Sequence, residues 1–157
     1  IPVDIKILED LTQKTQLITN GSFKSGISGW TTTSGAQWFR GYGGTLRLAS
    51  LNQVESATST PMAVITGNPY YYAIKVSESI GTPATASVRV QLLTHPGNAV
   101  IQEQIIEGKK TQVFAFIPQS GQGTVKIRLS TTGFSNGTAA FVDGVFFSEN
   151  LQVAANN

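Results

Sequence analysis

The stretch TAAFVDGVFF, residues 138–147, is an apolar run with one carboxylate, Asp143, at its centre, and its reading decides the fold. Alternation along a strand puts Ala140, Val142 and, past the turn-prone Gly144, Phe146 on one face. Phe141, Val145 and Phe147 then reach the other face or the strand ends. A strand that is apolar on both faces is covered on both sides. A carboxylate buried in such a strand is costly unless a cation or several donors meet it. Asp143 is therefore expected to hold a metal, a Lys or Arg, or a cluster of backbone N–H groups.

Outward from this strand, composition bounds the answer. At 157 residues the chain is one domain, long enough to bury a core without covalent staples. It contains no cysteine, which excludes disulfides, thiol nucleophiles and thiolate metal sites and leaves the redox compartment undetermined. Charged residues make up 13%, against about a quarter in ordinary domains, a balance common among extracellular and virion β-proteins. The net charge is +2 and the basic residues are scattered, Lys109 and Lys110 being the adjacent pair, so no basic patch for nucleic acid is expected. No apolar run approaches the ~20 residues of a membrane helix, and no signal-peptide pattern is visible. The chain starts at Ile1, as a processed product or a piece of something longer would, with a removed export signal left open.

Residues 1–16, IPVDIKILEDLTQKTQ, read either as an extended piece, with Val3, Ile5 and Ile7 alternating with Asp4 and Lys6, or as a weak helix through Leu8 and Leu11. They are expected to form an arm whose apolar side chains are covered by the chain's own domain or by a neighbouring subunit. From residue 17, strand patterns follow over 17–23, 37–40, 45–48, 53–57, 62–65, 70–76, 87–93, 99–106, 112–117 and 125–129, with turn signals between them and no helical period. Tyr70, Tyr72, Ile74 and Val76 share one face, against Tyr71, Ala73 and Lys75. Val88, Val90 and Leu92 oppose Arg89 and Gln91, and Val125, Ile127 and Leu129 oppose Lys126 and Arg128. One polar face per strand indicates an all-β, antiparallel two-sheet sandwich over residues 17–148, followed by a polar tail, 149–157.

Four segments carry a resemblance: LITNGSF (17–23), GISGW (26–30), GNPYYYAIKV (67–76) and GTAAFVDGVFF (137–147). Together they resemble the carbohydrate-binding modules of the four, nine and twenty-two group, galactose-binding-like jelly-roll sandwiches, over about residues 17–148. The resemblance implies that the first and last strands lie side by side, with Asn20, Gly21 and Phe23 near Asp143. It also implies a structural calcium held by the carboxylate matching Asp143 and by an acidic residue after the phenylalanine. Lys24 stands at that second position, and an ammonium cannot ligate calcium. Asp143 is left with a calcium ion, a direct pair with Lys24 or backbone N–H donors. The same sandwich also serves as a structural part of phage heads and tails.

A sugar-binding surface needs a flat aromatic against the pyranose face and polar groups for its hydroxyls. Trp38 and Tyr42 bracket Arg40 in AQWFRGYGG (36–44), Tyr71 lies beside Lys75, and Arg89 and Gln91 are expected to line the same sheet. Catalysis is not expected. His95 is the one histidine and sits in the turn THPGN, and Glu55, Glu78, Glu103, Glu107 and Asp143 are on separate strands or turns. The expected function is a non-catalytic module binding a polysaccharide or cell-surface glycan, extracellular or on a virion, with no cofactor beyond the open question of calcium and no nucleic-acid or membrane partner. The alternative is a structural virion protein, a capsid cement or decoration or a phage tail component. In that reading residues 1–16 hold another copy of the chain or a capsid or tail protein.

Overall fold

The computed structural model describes residues 15–50, 53–80, 87–132 and 138–150, so residues 1–14 of the expected arm and most of the expected tail lie outside it. Among these residues eleven strands are formed: β1 (Thr31–Thr32), β2 (Ala36–Phe39), β3 (Thr45–Ala49), β4 (Ser56–Thr58), β5 (Met62–Ala63), β6 (Tyr70–Ile80), β7 (Ser87–Thr94), β8 (Val100–Glu107), β9 (Lys110–Phe116), β10 (Thr124–Thr132) and β11 (Ala139–Glu149). They form a six-stranded sheet, β1-β4-β10-β7-β8 with β5 also on β10, and a five-stranded sheet, β2-β3-β11-β6-β9. Neighbouring strands run antiparallel, and the two sheets make a jelly-roll sandwich.

The alternation seen in the sequence sets which residues fill the space between the sheets. Val88, Val90, Leu92, Val125, Ile127 and Leu129 come from the six-stranded sheet, and Leu46, Leu48, Tyr72, Ile74, Val142 and Phe147 from the five-stranded one. Each of these side chains, once fully buried, contributes about 1.5–3 kcal/mol before entropy is subtracted. Tyr72 stacks on Phe147 at 5.6 Å between ring centroids. Its hydroxyl accepts a 2.6 Å hydrogen bond from Gln102 Nε2 of β8, and the same amide donates to the Ala115 carbonyl of β9, so Gln102 clips the two sheets together. Burial pushes the Tyr72 phenol up to about 12, which keeps it protonated and satisfied at neutral pH.

β11 lies inside its sheet, paired with β6 from Ala139 to Glu149. On its other edge β3 pairs only from Ala139 to Val142. Beyond that point the leading segment of the chain takes over the edge. Leu17 N–H donates to the Phe147 carbonyl at 2.8 Å, and Val145 N–H donates to the Gly21 carbonyl at 2.7 Å. The expected adjacency of NGSF and FVDGV is therefore present, whereas the expected strand over 17–23 is not. Asn20 and Phe23 have φ of 53° and 54°, left-handed values that break an extended ladder. The Asn20 amide spans the resulting coil, donating to the Gly26 and Ser28 carbonyls at 3.0 Å each, and Trp30 Nε1 donates to the Asn20 carbonyl. Phe23 is held in its unfavourable backbone by complete burial against Trp30, 5.1 Å away.

The face assignment in β11 is corrected by a bulge. Val142 faces Val76 and Gly144 faces Lys75, which leaves Asp143 as the extra residue. The bulge resets the alternation, so Val145 and Phe147 join Ala140 and Val142 in the core while Phe141 and Phe146 turn outward. Glu149, at the end of β11, accepts from the Tyr70 hydroxyl and the Asn68 amide, and Gln16 and Thr15 bond to Phe147 and Ser148.

The approach of Gly21 to β11 is close enough to test. A Cβ at Gly21 would sit 2.1 Å from the Val145 carbonyl oxygen, whereas one at Gly123 would meet nothing within 4 Å. Gly21→Ala is expected to lower unfolding stability by about 1–3 kcal/mol in a denaturant melt, and Gly123→Ala to change it by no more than about 0.5 kcal/mol.

Candidate functional site

Three aromatic rings meet on the outer face of the five-stranded sheet. Phe39 ends β2, Tyr42 sits in the following turn, and Phe141 projects outward from β11 ahead of the bulge. Phe141 is 4.9 Å from Phe39 and 5.2 Å from Tyr42, the second contact edge-on, and Phe39 and Tyr42 are 5.8 Å apart. Phe141 is buried beneath the other two, which remain 37% and 51% exposed. The loop is shaped for this arrangement. Gly41 has no room for a side chain because a Cβ would lie 2.2 Å from the Phe39 ring, and Tyr42 is held at φ 58°. A left-handed aromatic costs on the order of 1 kcal/mol or more, and such strain tends to be stored where function uses it.

The other expected aromatics have different settings. Trp38 pairs across the sheet with Leu46, so it lies on the core-facing side of β2, and its Nε1 donates to the Phe23 carbonyl at 2.8 Å. It ties the leading segment to β2 and is 36% exposed. Arg40 is exposed beside Tyr42. Tyr71 and Lys75 lie on the outer face of β6, Tyr71 opposite Ala115 and Ser148 and half-buried.

Lys75 answers the question raised by Asp143. Its Nζ is 3.2 Å from Asp143 Oδ2, whereas Lys24 is exposed, its ammonium lying beside Gly43. The expected Lys24–Asp143 pair is thus replaced by a Lys75–Asp143 pair, because the bulge sets Asp143 next to the residue opposite Gly144. Asp143 Oδ1 is buried and lacks a protein partner among the described residues. One free oxygen beside an ammonium is not a calcium cage, which needs about six or more oxygens. No cluster of three acidic, His or Cys residues occurs among the described residues, so the donor set does not fit the ion.

Arg89 and Gln91 do not line the same sheet as Tyr71. They belong to β7, on the outer face of the six-stranded sheet at the opposite side of the sandwich. There they form a cross-strand chain. Arg128 Nε donates to Gln91 Oε1 at 2.8 Å, Gln91 Nε2 donates to Glu103 Oε1 at 2.7 Å, and Arg89 Nε lies 3.8 Å from Glu103 Oε2. At one end of this face a cleft of about 340 Å³ is lined by Thr31, Thr58, Pro61, Asn98, Lys126 and Arg128, among others. The sequence did show Lys126 and Arg128 facing away from the core. It did not show that three other segments close a cleft around them.

Glu55, in the polar segment 53–57, is fully buried. Its Oε1 accepts the Gly35 N–H at 2.8 Å, and its own N–H donates to Thr131 Oγ1. Hydrogen bonding from Thr33 first, then from the Gly35 N–H and from Gln53 and Ser34, outweighs desolvation and holds the carboxyl below its usual value. Glu55 fastens β4 to the turn before β2 and is not open to a ligand.

The architecture has close counterparts among solved structures. A structure described as "CBM4 structure and function" matches with a TM-score of 0.63 and 17% identity, covering 85% of this chain and 99% of that one. The CBM22-1 xylan-binding domain of Paenibacillus barcinonensis Xyn10C matches with a TM-score of 0.59 and 12% identity, covering 82% and 91%. The enzymatically active domain of tailspike protein 4 of bacteriophage CBA120 matches with a TM-score of 0.58 and 13% identity. That match covers 86% of this chain and 21% of that one, so this chain spans about a fifth of the length it is matched to. No family model matches the sequence, and no curated protein matches it. These likenesses establish the fold.

The Glu55 interactions carry a pH dependence of defined sign. Because the folded-state value is depressed, the stability they contribute is fully present above the unfolded value of about 4.5 and is lost as pH falls through the lower folded value. Melting temperature is expected to fall on acidification below about pH 4.5 more steeply in the native chain than in Glu55→Gln.

Proposed function

We propose that this chain is a non-catalytic glycan-binding module that works outside the cell or on a virion surface. The observation that carries the reading is Tyr42, held in a strained backbone on a shelf formed with Phe39 and Phe141, with Arg40 at its side. A pyranose ring resting on Tyr42 and Phe39 buries its apolar face, while Arg40 donates to its hydroxyls. Tyr71 extends the same outer face, and Lys75 there is engaged with Asp143. The likeness to carbohydrate-binding modules, one of them xylan-binding, supports a polysaccharide as the ligand class.

The carboxylates favour binding over bond cleavage. Glu55 is buried in its hydrogen bonds, Glu103 holds Gln91 and Arg89, Asp143 holds Lys75, and Glu149 holds Tyr70 and Asn68. No two of these flank one open cleft, as glycoside hydrolysis requires. Calorimetric titration with xylo- and galacto-oligosaccharides is expected to give weak, saturable binding. Tyr42→Ala is expected to weaken it about tenfold without unfolding the chain. Trp38→Ala is expected instead to cost about 2 kcal/mol of stability, since it removes the tie to Phe23. Absence of binding at millimolar sugar removes the reading.

The tailspike likeness favours a second reading, a structural part of a phage particle such as a capsid decoration or tail component, held to its neighbours by the N-terminal arm. Sedimentation of the chain with and without residues 1–14 separates the two. The virion reading requires an assembly that deletion dissolves, and a monomer in both cases counts against it.

A further inference from the structure

The cleft on the six-stranded face has a charge pattern that the aromatic shelf does not share. Lys126 and Arg128 project into it from alternate positions of β10, about 7 Å apart along the strand. Among the described residues no carboxylate lines the cleft and neither cation forms an ion pair. Arg128 spends Nε on the neutral Gln91 amide, and the rest of its guanidinium fork has no partner among the described residues. Lys126 Nζ donates a hydrogen bond to His95 Nδ1 at 3.3 Å, a partner that supplies no negative charge. Glu103, joined to Arg128 through Gln91, is taken up by Gln91 and by Arg89.

Two like charges left side by side without a counter-charge repel each other, and the arrangement is improved by an anion between them. The rest of the lining suits a polyhydroxy molecule rather than a bare ion. Thr31 and Thr58 supply hydroxyls, Asn98 an amide, and Pro61 an apolar surface. The volume of about 340 Å³ is at the small end of ligand clefts, which run from about 300 to 1,000 Å³.

We propose that this cleft binds an acidic saccharide, with the carboxylate or sulfate of one sugar between Lys126 and Arg128 and its hydroxyls on Thr31, Thr58 and Asn98. The proposal rests on the glycan-binding reading for the class of ligand, but not for the surface used. It places a second, charge-selective site on the side of the sandwich opposite Tyr42.

The test is calorimetric titration of the full chain with trigalacturonate and with a sulfated chondroitin disaccharide, with xylotriose and galactotriose as neutral controls. At least one acidic probe is expected to bind about tenfold more tightly than the neutral ones, with an affinity that falls as salt is raised. Lys126→Gln and Arg128→Gln are each expected to remove about tenfold of that affinity, and Tyr42→Ala to leave it unchanged. Both substituted side chains point away from the core, so melting temperatures near that of the native chain verify that the variants are folded. Preference for trigalacturonate assigns a carboxylate ligand, and preference for the disaccharide a sulfate. Equal affinity for acidic and neutral probes overturns the proposal. So does acidic binding that survives both cation substitutions, or tighter binding of a single-stranded oligonucleotide than of either saccharide. If Tyr42→Ala abolishes acidic and neutral binding together, the cleft is wrong and the aromatic shelf stands. If only neutral binding is missing from the native chain, the shelf is wrong and the cleft stands.

Discussion

A strand buried inside a sheet must have both edges hydrogen-bonded, since an unpaired peptide group there costs about as much as a lost hydrogen bond. β11 meets this condition with three different partners. β6 covers one edge throughout, and the other is shared between β3 and the leading segment, which begins where β3 stops. The division follows from the bulge at Asp143. A bulged strand bends and twists, and its partner on that edge ends at Val142, so the remaining groups at Val145 and Phe147 are left for residues 17–21. Gly21 is required by the closeness of that approach, and the left-handed residues Asn20 and Phe23 turn the chain away once the contact is made.

The same strand sets up the outer surfaces. Before the bulge, Phe141 points outward and becomes the base on which Phe39 and Tyr42 rest, and at the bulge Asp143 meets Lys75. The cleft on the other sheet depends on β10, whose alternation buries Val125, Ile127 and Leu129 and so turns out Lys126 and Arg128. The aromatic cluster and the Lys126–Arg128 cleft therefore lie on opposite faces, with a continuous apolar core between them. A substitution on either surface is therefore separated from the other by the packed core.

Most of the frame was legible because its strands keep one polar face each. Residues 70–76, 87–93 and 125–129 read correctly from alternation alone, and the pairing of the chain's beginning with its last strand followed from the resemblance. What alternation cannot show is which sheet a strand joins. Arg89 and Gln91 were accordingly grouped with Tyr71, from which the whole core separates them. Nor can it locate a bulge, which is a mismatch of register between two strands distant in sequence. Lys24 was the partner that the resemblance implied, and the register of β6 on β11 brings Lys75 to Asp143 instead. Glu55 had no local signal either, since its hydrogen-bond partners Thr33, Gly35 and Thr131 are brought together only by the fold.

The claim on which the structure turns is that residues 17–21 complete the sheet beside β11, and native-state hydrogen exchange at Leu17 and Val145 tests it most directly. Both amides are expected to exchange as slowly as those of the β6–β11 ladder, opening only when the whole sandwich unfolds. Exchange of either at the rate of an exposed loop amide, while the ladder stays protected, would contradict the closure and the placement of both surfaces that depends on it.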